Sequence, residues 1–315
     1  MSAQEVPLVS IAIPTFNRSS LVRRAIDSVL TQTYPNIQVI VVDDGSSDDT
    51  VDRLAPYVER HHVTVIRHSR NRGTMAAKNT GIDAMRGAFG GILDSDDELL
   101  PNAVERLMHV FDVYGGGVGL VFGNCVDPST GTWTGLGLHE SCEVTFADVV
   151  TGRVSGEFWG LWRQAVLGPR RFDPELPGGS ESLVWHELYR HSRAFYVHEV
   201  VRRYSRGGAD SVSRANLDPV RLARTRAMYE RYLEQFGDDM RRLAPEAYVK
   251  QRQLIALWHL LAGERRAGIR QLWLARRAGG ALRQHLLGAA MACLPAPVLR
   301  RAFLWRYERN LNRTR

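Results

Sequence analysis

Residues 91–98 read GILDSDDE, and three of them, Asp94, Asp96 and Asp97, are carboxylates within four positions. They follow directly on a short apolar run. Carboxylates this close repel and raise one another's pKa unless positive charge sits among them. One reading is a solvated acidic turn before a helix near Pro101, where the helix dipole favours acids. The other reading starts from the preceding strand, because charge delivered by a buried strand needs a partner. A divalent cation with oxygen ligands supplies one, and Mg²⁺ is commonly held by one or two carboxylates plus substrate phosphates. A D-x-D at a strand end therefore suits a metal–diphosphate site.

The elements that must position these residues are legible in the apolar pattern. Leu8–Ile13 reads as a buried strand ended by Pro14. Ser19 or Ser20 can cap a helix whose apolar residues Leu21, Val22, Ala25, Ile26, Val29 and Leu30 have helical spacing. Ile37–Val42, Val63–Arg67, Phe89–Leu93 and Val118–Gly123 read as further strands. Helical patterns over about 49–60, 73–86 and 101–114 separate them. Apolar strands alternating with helices argue for a parallel sheet covered on both faces. Ligands of such sheets bind beyond the carboxyl ends of the strands. Three polar clusters fall there: Thr15-Phe16-Asn17-Arg18, Asp43-Asp44-Gly45-Ser46 and Asp94-Ser95-Asp96-Asp97. The pattern loosens over 124–215 and becomes mostly helical from 216.

Four stretches stand in order over about 110 residues: PTFNR, VVDDGSSDDT, NRG with AKNTGI, and LDSDD. This succession resembles the nucleotide-sugar-binding half of the family 2 glycosyltransferases. The resemblance implies the GT-A fold, an α/β architecture with a Rossmann-like mixed sheet flanked by helices. It implies inverting transfer of a sugar, in the hexosyltransferase class, from a nucleotide-sugar donor, in the first instance a UDP-sugar. It also implies roles at matching positions. Pro14, Thr15, Asn17, Asp43 and Asp44 bind the nucleotide, and Arg72 and Lys78 lie near it. Asp94, Ser95 and Asp96 contact the donor, with Asp96 and Asp94 as ligands of Mn²⁺ or Mg²⁺. Asp97 shares the metal or acts on the acceptor side.

Such a reaction passes through an oxocarbenium-like state. A metal neutralises the nucleoside diphosphate leaving group. A carboxylate on the opposite face takes the proton of the acceptor hydroxyl, typically worth about 10²–10⁴-fold. The family often carries that base in an E-D pair before a Trp-containing helix. The matching stretch here is GGSESLVWHELYRH, with Glu181 at the Glu and Ser182 in place of the Asp. Glu181 is taken as the base, with Glu187 in reserve; the plainer alternative has Glu181 capping the helix that begins near Ser182. A second departure is Tyr204-Ser205-Arg206-Gly207, where many relatives have a His. Arg206 can hold the diphosphate there as a fixed cation, and Asp210 follows. Trp159, Trp162 and Trp185 suit sugar stacking or, more plainly, packing. His186-Glu187 with His191 misses the helical HExxH spacing by one residue, so no zinc site is read.

Charge divides the chain. Residues 216–315 hold 20 Lys and Arg against 8 acids, and residues 1–215 hold 21 against 26. Residues 265–315 alone have 12 arginines and one acid, Glu308. Residues 1–215 are read as the GT-A catalytic domain and 216–315 as a basic, mostly helical extension. The extension suits an anionic membrane surface, nucleic acid, or a solvated face packed on the catalytic domain. The membrane reading is taken: Arg, Leu and aromatic residues on helices match it, each Arg near the surface contributing roughly 1 kcal/mol, and no nucleic-acid motif accompanies them. It fits a glycan or lipid-linked saccharide as acceptor. No signal peptide, no run of about 18 apolar residues and no cysteine framework are read among the three cysteines. These point to a cytoplasmic enzyme, peripheral on the inner face of the membrane. The rival reading is a non-catalytic sugar-nucleotide-binding or membrane-scaffold protein on the same fold.

Overall fold

The computed structural model describes residues 6–61, 63–205 and 217–311. The elements begin β1 (Val9–Thr15), α1 (Ser19–Leu30), β2 (Ile37–Asp43), α2 (Thr50–His61), β3 (Thr64–Arg67), α3 (Thr74–Asp83), β4 (Phe89–Ile92), β5 (Glu98–Leu99) and α4 (Ala103–Tyr114). They continue with β6 (Val118–Val126), β7 (Gly135–Leu136), β8 (Cys142–Val144), α5 (Phe146–Val150), β9 (Ser155–Gly156), β10 (Phe158–Arg163), α6 (Gln164–Leu167), α7 (Ser182–His191) and β11 (Arg193–Arg203). Five helices end the chain: α8 (Pro219–Leu243), α9 (Pro245–Ala262), α10 (Arg265–Arg277), α11 (Leu282–Cys293) and α12 (Ala296–Leu311). Two compact units result. One takes Met1–Val149, Arg153–Pro174 and Val184–Asp210; the other takes Val150–Gly152, Glu175–Leu183 and Ser211–Arg315.

The first unit is built on a sheet of order β3-β2-β1-β4-β10-β6-β11-β5, with β8 also on β11. β3, β2, β1 and β4 run parallel, as strand–helix alternation predicts. The remainder departs from that pattern. β10 enters antiparallel between β4 and β6, and β11 pairs parallel with β6. The sheet is therefore mixed, because a strand from the loosened region fills the place that simple alternation gives to β6. Glycines make room for it: a Cβ on Gly90 would stand 2.9 Å from the Trp162 ring, and one on Gly91 2.9 Å from Leu161. Trp159 and Trp162 are buried in this layer. The Trp159 indole N–H donates to the Ile92 carbonyl at 2.8 Å, and Trp185 packs between Trp162 and Phe172. All three tryptophans pack within the unit.

Two local details bear on the site. α1 starts at Ser19 without a serine cap; the residue before it is Arg18, with no side-chain cap bond. The amides of Arg18 and Ser19 donate instead to Thr50 Oγ1 at 3.3 Å and Asp48 Oδ2 at 3.4 Å, so the loop after β2 satisfies the helix end. α3 lies tight on the sheet, because a Cβ at Gly81 would stand 2.6 Å from Ala12 Cβ. Gly81→Ala is expected to cost roughly 1–3 kcal/mol by overpacking, read as a lower urea midpoint.

In the second unit α8 opens with a regular cap: Asp218 Oδ1 accepts the Arg221 N–H at 2.9 Å ahead of Pro219. Leu222, Leu260, Leu261, Ala292 and Leu299 form a core among these helices. Among the described residues, no helix is long and apolar enough to cross a membrane.

Candidate functional site

Parallel pairing delivers the three polar clusters to one edge of the first unit. Thr15 ends β1 directly opposite Asp43 at the end of β2. The Asp44 N–H donates to the Thr15 carbonyl at 2.8 Å, and the Leu93 N–H after β4 donates to the Ala12 carbonyl at 2.9 Å. Asn17, just past Pro14 and Thr15, has a left-handed φ of 51°, a conformation that Asn tolerates well. In that conformation its N–H donates to Ser46 Oγ at 2.8 Å and its Oδ1 accepts from the Ser47 N–H at 2.8 Å. The first and second loops are thereby stitched together. Thr15 Oγ1 is buried beside them, and among the described residues it has no hydrogen-bond partner.

Asp43 and Asp44 are enclosed by protein. Asp43 accepts the Ser46 N–H at 3.1 Å and sits 3.2 Å from Arg67 Nε. Asp44 faces His68 Nδ1 at 2.6 Å and accepts the amides of Arg72 at 2.9 Å and Gly73 at 2.8 Å. His68 Nε2 lies 3.0 Å from Thr80 Oγ1 on α3. Asp44 therefore shapes the turn that carries the exposed Arg72 and the start of α3, whose Lys78 reaches the aspartates. Gly45 permits the close approach, since its Cβ would stand 2.6 Å from the Arg70 carbonyl carbon at a φ of +77°. On α3, Asn79 clamps Phe172 by both backbone groups, at 2.7 and 2.9 Å.

Each of the three aspartates has a cation from a different part of the unit. Lys78 Nζ lies 3.2 Å from Asp94 Oδ1. Arg18 Nη1 lies 2.8 Å from Asp96 Oδ2 and 3.4 Å from Ser95 Oγ. Arg202 Nη1, on β11, lies 3.1 Å from Asp97 Oδ2, and Asp97 Oδ1 accepts the Ser205 N–H at 3.0 Å. Exposure separates the three: the Asp94 and Asp96 side chains are 40% and 31% exposed, whereas Asp97 is 1% exposed. Its carboxylate is sealed against Arg202 and the Ser205 amide and holds the turn.

Charge follows the same division. The protein packed around one side of Asp94 works against its charge although the side chain is 40% exposed, but Lys78, Arg202 and Arg18 outweigh this and hold its carboxyl below the usual carboxylate range. Burial dominates at Asp97 and, with repulsion from Asp94 and Asp96, pushes its carboxyl up to about 7 against the pull of Arg202. Arg202 is buried too, yet Cys125, Asp97, Asp94 and Glu157 around it keep it more firmly charged than usual. Its Nε donates to Cys125 Sγ at 3.2 Å and its Nη2 to Glu157 at 3.3 Å. Its guanidinium carbon stands 5.0 Å from the Tyr204 ring centroid.

Arg202 and His68 were not among the residues singled out from sequence. Arg202 had a signal in VVRRY, a basic residue at the end of an apolar strand, and the logic that flags DSDD applies to it. His68 had none. Glu181 lies in the second unit, where its Oε2 accepts the Gly179 N–H at 2.7 Å just before α7 begins at Ser182. Glu187 lies on α7, 2.8 Å from His191 Nε2 and 3.4 Å from Arg190 Nη1. Arg206 and Asp210 lie outside the described residues. Among the described residues, no three His, Cys, Asp or Glu side chains converge as a ready-made metal cage. Asp94 and Asp96 fit a different arrangement: two partly open carboxylates of hard oxygen donors, of the kind that binds Mg²⁺ together with substrate phosphates.

A family model described as Glycosyl transferase family 2 matches residues 10–157. The chain is 34% identical over 215 residues to the GalNAc(5)-diNAcBac-PP-undecaprenol beta-1,3-glucosyltransferase of Campylobacter jejuni, a match covering 66% of this chain and 68% of that protein. It is 41% identical over 108 residues to the chondroitin synthase of Escherichia coli, covering 34% of this chain and 16% of that one. S. aureus TarS 1–349 in complex with UDP-GlcNAc superposes with a TM-score of 0.65 at 18% identity, over 96% of this chain and 92% of that one. The mannosyltransferase PcManGT from Pyrobaculum calidifontis, in complex with GDP-Man and Mn2+, gives 0.57 at 19% identity, over 96% and 84%. The chain belongs to glycosyl transferase family 2. Its mixed sheet flanked by helices is the GT-A fold of glycosyltransferases, and glycosyl transfer is the chemistry of its class.

Proposed function

We propose that this protein is an inverting, metal-assisted glycosyltransferase that moves a sugar from a UDP-sugar to a hydroxyl of a lipid-linked saccharide. The observation that carries the reading is the pairing of two partly open aspartates, Asp94 and Asp96, with Lys78 and Arg18. A donor diphosphate offers such cations a new anionic partner, while Mn²⁺ or Mg²⁺ offers the carboxylates one. The exchange keeps charge balanced at each stage. Asp94 and Asp96 would hold the cation, which when bound supplies Lewis acidity against the charge of the departing diphosphate. Asn17, Ser95, Arg72 and the Pro14-Thr15 turn complete the donor side, with Asp43 and Asp44 setting the loops that bear them. Glu181, placed by sequence position, takes the acceptor proton as the anomeric carbon is attacked from the face opposite the leaving group. The UDP-sugar assignment is supported by the UDP-GlcNAc of the TarS complex, and the lipid-linked acceptor by the undecaprenol-linked substrate in the name of the Campylobacter relative. Such an acceptor places the enzyme on the inner, cytoplasmic face of a membrane, with residues 216–315 as the basic extension to the catalytic domain of 1–215.

The test is a thermal-shift panel of UDP, GDP, TDP and CMP, each with and without Mn²⁺. A ligand at a hundredfold excess over its Kd stabilises the native state by about 2.7 kcal/mol. UDP with Mn²⁺ is expected to raise the melting temperature of the wild type and not of Asp96→Ala. Glu181→Gln is expected to retain that shift and lose transfer. Absence of a shift with any nucleotide would point to the scaffold reading instead.

A further inference from the structure

α11 is built inside out. A helix packed on one side normally buries its large apolar residues, yet in LRQHLLGAAMAC the buried positions are Gly288 and Ala292. Leu282, Leu286 and Leu287 are 57%, 59% and 56% exposed. The reason is local: Leu272 of α10 occupies the space at Gly288, where a Cβ would stand 2.5 Å from Leu272 Cδ2. Small residues therefore face the core, and the leucines face out. With Arg283 and Ala290 they form one continuous open patch. Neighbouring α10 repeats the theme, with Ile269 51% and Trp273 50% exposed. Scattered exposed apolar residues are ordinary, but a contiguous face of this kind marks an interaction surface.

Charge says what the surface meets. Arg265, Arg266, Arg270, Arg276, Arg277 and Arg283 are exposed on the same two helices. Residues 265–315 contain a single acid, Glu308. The Arg277 guanidinium stands 4.5 Å from the Trp273 ring centroid, an aromatic–cation pair suited to an interface that is apolar on one side and anionic on the other. Leucines beside Arg283, on two helices that carry six exposed arginines and no acid, complement acyl chains below a layer of anionic headgroups. A second copy of the chain would bring the same excess of arginines to the contact.

We propose that the outward face of α11, anchored by Leu282, Leu286 and Leu287 and flanked by the arginines of α10, docks on the surface of an anionic phospholipid bilayer without spanning it. This deepens the lipid-linked-acceptor reading and rests on it for its purpose, but its physical test needs neither donor nor acceptor. The full-length protein is mixed with vesicles of phosphatidylcholine alone, or of phosphatidylcholine with phosphatidylglycerol, and floated through a density gradient. Flotation is expected with the anionic vesicles and is expected to fall with added salt, since the Debye length shrinks from about 10 Å at 0.1 M to about 3 Å at 1 M. Leu286→Glu with Leu287→Glu is expected to weaken it at least about tenfold, two leucines' worth of apolar contact. The milder Leu286→Ser with Leu287→Ser is expected to act in the same direction. Equal flotation of wild type and both variants would overturn the proposal, as would no flotation of the wild type. So would a wild-type dimer in sedimentation that the variants convert to monomer with flotation unchanged. The nucleotide thermal shift is read on the same variants and is expected to be intact. Flotation without any nucleotide shift would sink the transfer reading and leave this one standing.

Discussion

Arg202→Ala is expected to lower the melting temperature by roughly 10 °C, with the deficit largest above pH 7. The guanidinium is buried and is the cation of an equally buried carboxylate, Asp97. Removing one member of such a pair leaves an uncompensated charge and costs about 3–5 kcal/mol. At about 2–4 °C per kcal/mol this gives a shift of that size. The loss has a pH signature that a mere packing defect lacks. In the wild type the Asp97 carboxyl is already pushed from 3.8 to about 7. A carboxyl raised on folding contributes stability that is present below its unfolded pKa and is lost as pH rises through its folded pKa. For the wild type that window runs from about 4 to about 7, and without Arg202 its upper limit moves higher. The Arg202→Ala deficit should therefore shrink as pH falls and the carboxyl takes up a proton. Adding Asp97→Asn should recover part of the loss at high pH, because the stranded charge is gone. Urea unfolding of wild type, single and double variants across this pH range measures all of these. A deficit that is constant with pH would mean that Arg202 acts by packing alone, through Tyr204 and Cys125.

The same pair shows where sequence reasoning stops. Strand ends were legible because β1, β2 and β4 are short apolar runs closed by polar clusters, and parallel pairing then aligns those ends without further information. Asp94, Asp96 and Asp97 stood out by density of charge at the end of an apolar strand. Their division of labour was not legible, since composition gives three equal carboxylates and only the chain around them decides exposure. The turn that bonds the Asp97 N–H to the Asp94 carbonyl at 3.0 Å turns Asp97 inward. The partner that receives it is 105 positions further along, on β11. Strand–helix alternation likewise could not anticipate β10, whose antiparallel place between β4 and β6 is settled by tryptophans meeting glycines on strands far apart in sequence. For Asp44 the resemblance implies a nucleotide contact, and the sequence does not show what else surrounds it. Its enclosure by His68 and two amides depends on a loop whose course no periodicity encodes. In α11 the composition was legible but the face was not: that Gly288 and Ala292 turn inward and the leucines outward depends on Leu272 of α10 filling the space at Gly288.

Asp96 and Asp97 are neighbours of identical chemistry, and their amides are expected to have opposite phenotypes. Asp96→Asn removes an ion pair whose carboxylate is 31% exposed. Partly exposed pairs of this kind are worth about 0–1 kcal/mol, so the variant should melt within a few degrees of the wild type. On the proposed function it should nevertheless lose roughly 10³-fold in kcat/KM. Neutralising a leaving diphosphate is worth several kcal/mol, and each 1.36 kcal/mol is a factor of about ten. Asp94→Asn should behave in the same way, because its side chain is also open and its charge is held by Lys78. Asp97→Asn should spare donor binding and change the pH dependence of folding instead. Its carboxyl is already pushed up to about 7, and its side chain is buried against Arg202. Steady-state transfer assays and melting curves on the three single variants give a two-by-three comparison in which each variant has an assigned place. Loss of transfer in Asp97→Asn with full transfer in Asp96→Asn would invert the assignment. It would mean that the buried Asp97–Arg202 pair, and not the open carboxylates beside it, carries the chemistry.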